Sequence, residues 1–350
     1  MTSGNLLSDL SPTRRSGRSP EPRGNGSSDG IGGGGQSFSE LFGRITTNIS
    51  KVIQGKTEVI ELAVICLLAE GHLLIEDVPG VGKTSLAKAL AGSVDCSFGR
   101  IQFTPDVLPS DVAGVNVWNR STSSFQFQPG PVFANIVLGD EINRASPKTQ
   151  AALLEAMAER QVTIDGTSYG LGVPFMVVAT QNPIEHEGTY PLPESQLDRF
   201  LMRVSVGYPA REAALEILRT HGADPAGGPR VEPVVGIDEV ASMIGAARQV
   251  HVAPSLQNYI IELAEASRDH PALSLGISPR ATLNLQGVSR VLAASRGRNF
   301  VIPDDIKALA VPVLAHRLVL TPDAQLQGLG VGPVIDDILT RIPVPATADG

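Results

Sequence analysis

The segment Asp77-Val-Pro79-Gly80-Val81-Gly82-Lys83-Thr84-Ser85 follows an apolar run, His72 to Glu76, and its residue types suit the binding of a nucleoside triphosphate. Gly80 and Gly82 can take backbone angles closed to other residues, so the turn from Pro79 through Val81 can point successive N–H groups inward around a phosphate. Lys83 would reach the β and γ phosphates and the Thr84 hydroxyl a magnesium ion. The helix expected from Ser85 to Ala91 would aim its positive end at the same anion. The pattern G-x-x-x-x-G-K-[ST] has Asp77 in place of its first glycine. Taken alone, the segment would also fit an ordinary glycine turn before a helix.

A second half of such a site follows at a suitable distance. Asn135-Ile-Val-Leu-Gly-Asp140-Glu141 is an apolar run ending in two adjacent carboxylates, as suits a strand buried on both faces of a parallel sheet. Asp140 could hold magnesium through water, and Glu141 could polarise the water that attacks the γ-phosphate. A third apolar run, Pro174 to Thr180, closes with Gln181 and Asn182; an asparagine there could position the attacking water from the side opposite Glu141. Leu197-Asp-Arg199-Phe200 and Ile277-Ser-Pro-Arg280-Ala follow, and either arginine alone would read as a solvated side chain or an ion-pair partner.

Together these segments resemble the MoxR-type AAA+ ATPases. The likeness is carried by Glu76-Asp-Val-Pro-Gly-Val-Gly-Lys-Thr84, Arg100-Ile-Gln-Phe-Thr-Pro-Asp106, Gly139-Asp-Glu-Ile-Asn-Arg144 and Gln150-Ala-Ala-Leu-Leu-Glu-Ala-Met157. It continues through Ala179-Thr-Gln-Asn-Pro-Ile-Glu-His-Glu-Gly188 and Leu192-Pro-Glu-Ser-Gln-Leu-Asp-Arg-Phe200, and spans roughly residues 38–343. The resemblance implies that Lys83 and Thr84 are the Walker A residues, Asp140 and Glu141 the Walker B pair, and Asn182 sensor 1. It further implies that Arg199 is an arginine finger for a neighbouring subunit and Arg280 the sensor 2 arginine of a lid. Gly55 occupies the place of a Gly-Gln motif at the adenine pocket, with Lys56 where the glutamine would be. Arg144 is also typical of the family, and the resemblance leaves open a contact for it across the subunit interface.

An arginine supplied in trans is worth about 10³ to 10⁵ in rate, on the order of 4 to 7 kcal/mol, so a monomer would be nearly inactive. Such head-to-tail contacts close into a ring when the rotation permits. The family implies a hexamer, ATP and Mg²⁺ as cofactors, and client or adaptor proteins with von Willebrand factor A domains.

Chain-wide features agree. The 350 residues suffice for two domains and are 42% apolar. A net charge of −8 with 4% aromatic residues argues against a duplex-binding face or base-stacking platforms, so no stable nucleic-acid binding is expected. No stretch reaches the roughly 18 apolar residues of a membrane span and no signal-peptide core is present, so membrane insertion is not expected. Cys66 and Cys96 are too far apart for a metal knuckle and fit buried small apolar positions in a reducing cytoplasm. Residues 1–36 are dominated by Ser, Gly, Pro and Arg and are expected to be a disordered tail, as are the last residues, 344–350, a flexible end.

The expected fold is α/β. A P-loop domain over 37–208 would carry a five-stranded parallel sheet flanked by helices, with strands near 72–76, 99–104, 136–140, 174–179 and 201–205. A small all-helical lid over 209–343 would follow, with helices at Ala210–Leu218, Ile237–Ala247, Ser255–Arg268 and Pro279–Ala294. The alternation from Val115 to Phe127 predicts a hairpin, which in the family resembles the helix-2 insert; Glu159 to Gly166 resembles the hairpin before sensor 1. Trp118, the single tryptophan, is expected in the core. The chain thus reads as a Mg-dependent ATPase remodelling client proteins. A nucleotide-sensing scaffold and a DNA-stimulated motor stand as alternatives; a GTPase lacks its guanine-reading Asn-Lys-x-Asp segment.

Overall fold

The computed structural model describes residues 37–183, 189–215 and 231–345. The expected tail over 1–36 lies outside that range, as do residues 346–350 and the latter part of the helix expected at Ala210–Leu218. The chain opens with α1 (Phe38–Ser50), begun by a reciprocal cap in which Ser37 Oγ accepts the Glu40 N–H and Glu40 accepts the Ser37 N–H. The apolar spacing of Leu41, Phe42, Ile45 and Ile49 puts them on one buried face. The next helix, α2 (Thr57–Leu68), is apolar almost all round, and Ile60 and Ala63 to Leu68 are all buried.

Five parallel strands follow: β1 (Leu73–Glu76), β2 (Phe98–Gln102), β5 (Ile136–Asp140), β8 (Met176–Gln181) and β9 (Met202–Val204), in the order β2-β5-β8-β1-β9. The expected strands are all present; the one at 136–140 has the expected bounds, and the others differ by no more than two residues at either end. Every residue of β5 is buried, as its unbroken apolar run requires. Between them run α3 (Lys83–Ser93), α4 (Pro109–Ala113), α5 (Pro147–Glu159) and α6 (Glu194–Leu197). Two antiparallel hairpins are inserted, β3 (Gly114–Asn119) with β4 (Ser124–Pro129), and β6 (Gln161–Ile164) with β7 (Thr167–Gly170). Burial separates the two sheet faces. Leu73, Ile75, Ile136, Leu138, Met176 and Val178 meet α1, α2 and α3, whereas Leu74, Val137, Val177 and Ala179 meet α5 and the hairpin side. The alternation is the two-residue period of a strand covered on both sides.

The lid comprises α7 (Ile237–Arg248), α8 (Pro254–Arg268), β10 (Leu273–Leu275), α9 (Pro279–Ser295), α10 (Pro303–Leu314), β11 (Val319–Leu320), α11 (Pro322–Leu326) and α12 (Val331–Arg341). The helical lid thus also carries a two-stranded ribbon, β10 with β11. Residues before α7 still belong to the sheet side: the Val234 N–H donates to Ser93 O at 2.9 Å and Arg44 donates to Val234 O. Lid and sheet domain share a continuous apolar core through α1, α2 and α9. An ionic contact joins them as well, where Glu70 pairs with Arg160 at 2.7 Å and with Arg248 of α7.

Trp118 departs from expectation. It is 50% exposed at the β3–β4 tip, edge-on to Phe125, itself 68% exposed, with ring centroids 5.1 Å apart. The core of the hairpin region is made further down, where Phe127 stacks on Tyr169 of β7 at 4.4 Å. The cysteines behave as small apolar groups: Cys66 is fully buried, and burial pushes the half-buried Cys96 thiol up to about 12.

Candidate active site

The carboxyl ends of β1, β5 and β8 open onto a cleft of about 370 Å³. Its walls are Pro79, Gly80, Gly82, Lys83, Thr84 and Ser85 from the turn and α3, Asp140 and Glu141 from the end of β5, Thr180 and Asn182 from β8 and its exit, and Arg100 and Gln102 from β2. Gly80 has φ +83° and Gly82, the N-cap of α3, has φ +96°. A side chain at Gly80 would meet nothing within 4 Å, so the backbone angle rather than crowding demands glycine there. Lys83 Nζ donates to Asp77 O at 2.6 Å and to Gln181 O at 3.4 Å, which holds the ammonium across the mouth of the turn.

Asp77 has a structural use. Burial disfavours its charge, but the N–H groups of Gly207 (2.5 Å) and Val78 (2.8 Å) and the Ser205 hydroxyl (3.0 Å) outweigh burial and hold the carboxyl below its ordinary value. The departure from the glycine pattern therefore ties the turn to the residues that follow β9. Lys56 is likewise accounted for, its Nζ donating to Tyr208 O at 2.8 Å.

On the opposite wall Thr180 organises the carboxylates. Its Oγ1 donates to Asp140 Oδ1 at 3.1 Å and accepts the Glu141 N–H at 2.9 Å. Asp140 Oδ2 takes Arg100 Nε at 3.0 Å and Nη2 at 2.8 Å, and lies 3.5 Å from Thr84 Oγ1. Glu141 sits in the left-handed region at φ +58°, a strained setting for a non-glycine residue that re-aims its side chain away from the strand. Its Oε2 accepts from Arg144 Nη1 at 3.0 Å and Gln102 Nε2 at 3.2 Å. Arg144 thus meets Glu141 of its own chain.

The hydroxyl of Thr84 and the carboxylate of Asp140 form a sparse set of hard oxygen donors, the kind magnesium accepts when water and phosphate complete its shell. Because Arg100 occupies Asp140 Oδ2, Asp140 fits contact through water better than direct ligation. Asn182 is buried at the cleft wall.

Other expected residues lie apart. Val81 and Gly55 do not line the cleft; Gly55 has φ +71°, and nearby Ile53 lies 3.8 Å from the place a Gly82 β-carbon would take. Arg199 is outside it too, donating to Leu154 O of α5 beside Glu155 and Glu159. Arg280, exposed as the second residue of α9, is near enough to His72 and Arg317 for its charge to act on both, and His72 precedes β1 at the end away from the turn. Sequence reasoning assigned nothing to Arg100, Gln102 and Thr180, although the first two stand in Arg100-Ile-Gln102 and the third in Ala179-Thr-Gln-Asn182. Their position on β2 and β8, the two strands that flank β5, was the missing information.

A parallel sheet with β1 between β8 and β9, a glycine turn after β1, paired carboxylates after β5 and a helical lid define a P-loop ATPase of the AAA+ class. The ATPase family associated with various cellular activities (AAA) matches residues 72–202, and an AAA lid domain matches 265–342. The chain is 45% identical to the uncharacterised protein YeaC of Bacillus subtilis, covering 87% of this chain and 95% of that one. It is 40% identical to Chaperone MoxR1 of Mycobacterium tuberculosis (86% and 82% covered) and 32% identical to Protein MoxR of Paracoccus denitrificans (85% and 94%). A crystal structure of a Cytophaga hutchinsonii protein superposes with a TM-score of 0.82 at 38% identity, over 88% of this chain and 96% of that one. The chain belongs to the MoxR family of AAA+ ATPases.

Proposed function

We propose that the protein hydrolyses ATP with magnesium to drive chaperone-like remodelling of client proteins in a ring of identical subunits. The observation that carries the reading is the convergence in one cleft of Lys83 and Thr84 with Asp140, Glu141 and Asn182, from three neighbouring strands. The turn from Pro79 to Gly82 and the start of α3 at Lys83, Thr84 and Ser85 cradle the triphosphate, Lys83 exchanging its carbonyl partners for phosphate oxygens. Thr84 and, through water, Asp140 would hold magnesium, which would supply positive charge to offset that of the phosphates. Glu141 orients and polarises the attacking water, and Asn182 steadies it from the other side. Gly55 and Val81 border the nucleotide base and the outer side of the turn.

Arg199 lies outside the cleft of its own chain, which supports its acting on a neighbour's nucleotide in a head-to-tail, hexameric arrangement, and Arg280 is the sensor 2 arginine through which the lid reads the γ-phosphate. The hairpins are the client-gripping surface, supported by the exposure of Trp118 and Phe125. Clients or adaptors with von Willebrand factor A domains and a cytoplasmic setting follow from family likeness. Among the described residues no helix is long and apolar enough to cross a membrane.

The test is ATP hydrolysis per subunit across a protein concentration series, with Glu141→Gln as control. Specific activity that climbs with concentration and vanishes in the variant is expected. Concentration-independent turnover would overturn the shared site, and turnover equal to that of Glu141→Gln would favour a nucleotide-sensing scaffold.

A further inference from the structure

The lid places one buried cation against the segment that carries Arg199. Arg317 follows α10 and is 4% exposed. Its Nε donates to Asp198 Oδ1 at 2.8 Å, Nη2 to Phe200 O at 2.6 Å and to Asp198 O at 3.4 Å, and Nη1 to Leu201 O at 3.2 Å and to Val313 O of its own helix. Those contacts use the whole donor set of a guanidinium. Four of them fall on the residues flanking Arg199. The neighbouring His316 adds a hydrogen bond from Nε2 to Phe200 O at 3.0 Å.

The local backbone needs these donors. The N–H groups of Arg199, Phe200 and Leu201 are bonded to Gln196 O, Leu197 O and His72 O, whereas the carbonyls of Asp198, Phe200 and Leu201 are met by Arg317. A buried cation is a costly way merely to fill space, because apolar side chains of similar volume often pack as well or better. A rigid fork of donors is what an apolar residue, or a lysine, does not supply. The fork belongs to the lid, and four of its five contacts are to acceptors in the sheet domain.

We propose that Arg317 is the positioning residue for Arg199, clamping the backbone on both sides of it so that the aim of Arg199 follows the lid. The proposal rests on the reading that Arg199 works in the neighbouring subunit's cleft. Its consequence is that a change at Arg317 impairs the neighbour's turnover while leaving the chain's own nucleotide cleft intact.

Arg317→Met is expected to keep its nucleotide affinity and lose kcat on the order of 10²-fold, the loss that about 1 Å of misplacement can carry. Mixing experiments separate the two readings. Glu141→Gln subunits mixed equally with unaltered ones still lend Arg199 to active neighbours. Subunits carrying Glu141→Gln with Arg317→Met, or Glu141→Gln with Arg199→Ala, should each lower turnover per active subunit to about half that seen with Glu141→Gln alone, since half the active subunits then have a defective neighbour. A defect with Arg199→Ala but none with Arg317→Met, or full kcat in the Arg317→Met protein, overturns the clamp alone. No defect with either overturns Arg199 as a trans-acting group and the clamp with it. Thermal midpoints check folding; should Arg317→Met not fold, Asp198→Asn, which removes the counter-charge and keeps an acceptor, is read by the same two measurements.

Discussion

Asp77 shows how a departure from a motif acquires meaning at the scale of one residue. With its carboxylate taken by the Gly207 and Val78 N–H groups and the Ser205 hydroxyl, it anchors the phosphate turn. Asp77→Ala should lower the free energy of unfolding by about 1–3 kcal/mol, the order of hydrogen bonds to a charged group, as read by denaturant melts. Lys83→Ala should abolish nucleotide binding in calorimetry. Arg199→Ala should keep binding and lose turnover by about 10³-fold or more; retained turnover would refute its assignment. His72 supplies a pH dependence. Burial, and secondarily the charges of Arg160 and Arg280, lower it from 6.5 to about 4, against the opposing bond from Nε2 to Met157 O, while Nδ1 accepts the Val177 N–H. The unfolded chain therefore takes up a proton that the folded chain refuses. Stability from this group is full above pH 6.5 and is lost as pH falls toward 4, by on the order of 3 kcal/mol. Thermal midpoints should drop between pH 7 and pH 5, and His72→Gln should flatten the slope.

Among the elements, the hairpins divide what a pattern can and cannot convey. The alternation from Val115 to Phe127 foretells a hairpin because strand side chains repeat every two residues, and that period is local. It does not say which residues find a partner: Phe127 meets Tyr169, and Asn116 meets Asp165 at 2.7 Å, across to the other hairpin, leaving Trp118 beyond the contact. Trp118→Ala should thus change stability by less than about 1 kcal/mol in thermal unfolding and leave basal ATP turnover unchanged, while weakening client capture. Gly114→Ala is expected to behave oppositely. Its β-carbon would stand 2.3 Å from Gln128 O at φ +98°, so the base of the hairpin must shift, and a loss of about 2 kcal/mol or more is predicted for the same measurement.

Over the whole molecule, the common core of α1, α2 and α9 and the Glu70 ion pairs hold the lid to the face of the sheet domain rather than over the nucleotide cleft. Arg280 consequently sits by His72, at the far end of β1 from the turn. A lid so placed brings its charged groups toward the edge that carries Arg199. The proposed head-to-tail ring would have a physical rationale in this placement, because Arg199 lies outside the cleft of its own chain and the lid bears on its setting. The concentration dependence of turnover is the measurement that belongs to this scale.

The sequence by itself determined the parallel sheet, the glycine turn with Lys83 and Thr84, and the carboxylates at the end of β5, because each is written in contiguous residues: strand burial in apolar runs, backbone freedom in glycines, and charge at strand ends. Only the tertiary structure decided that Arg100 meets Asp140, that Arg144 and Gln102 share Glu141, that Trp118 is half-exposed and that Arg317 reaches Asp198. Each of these depends on which residues distant in the chain are brought within hydrogen-bond or van der Waals reach. Hydrophobic period carries the direction in which a side chain points, not the identity of the group that awaits it.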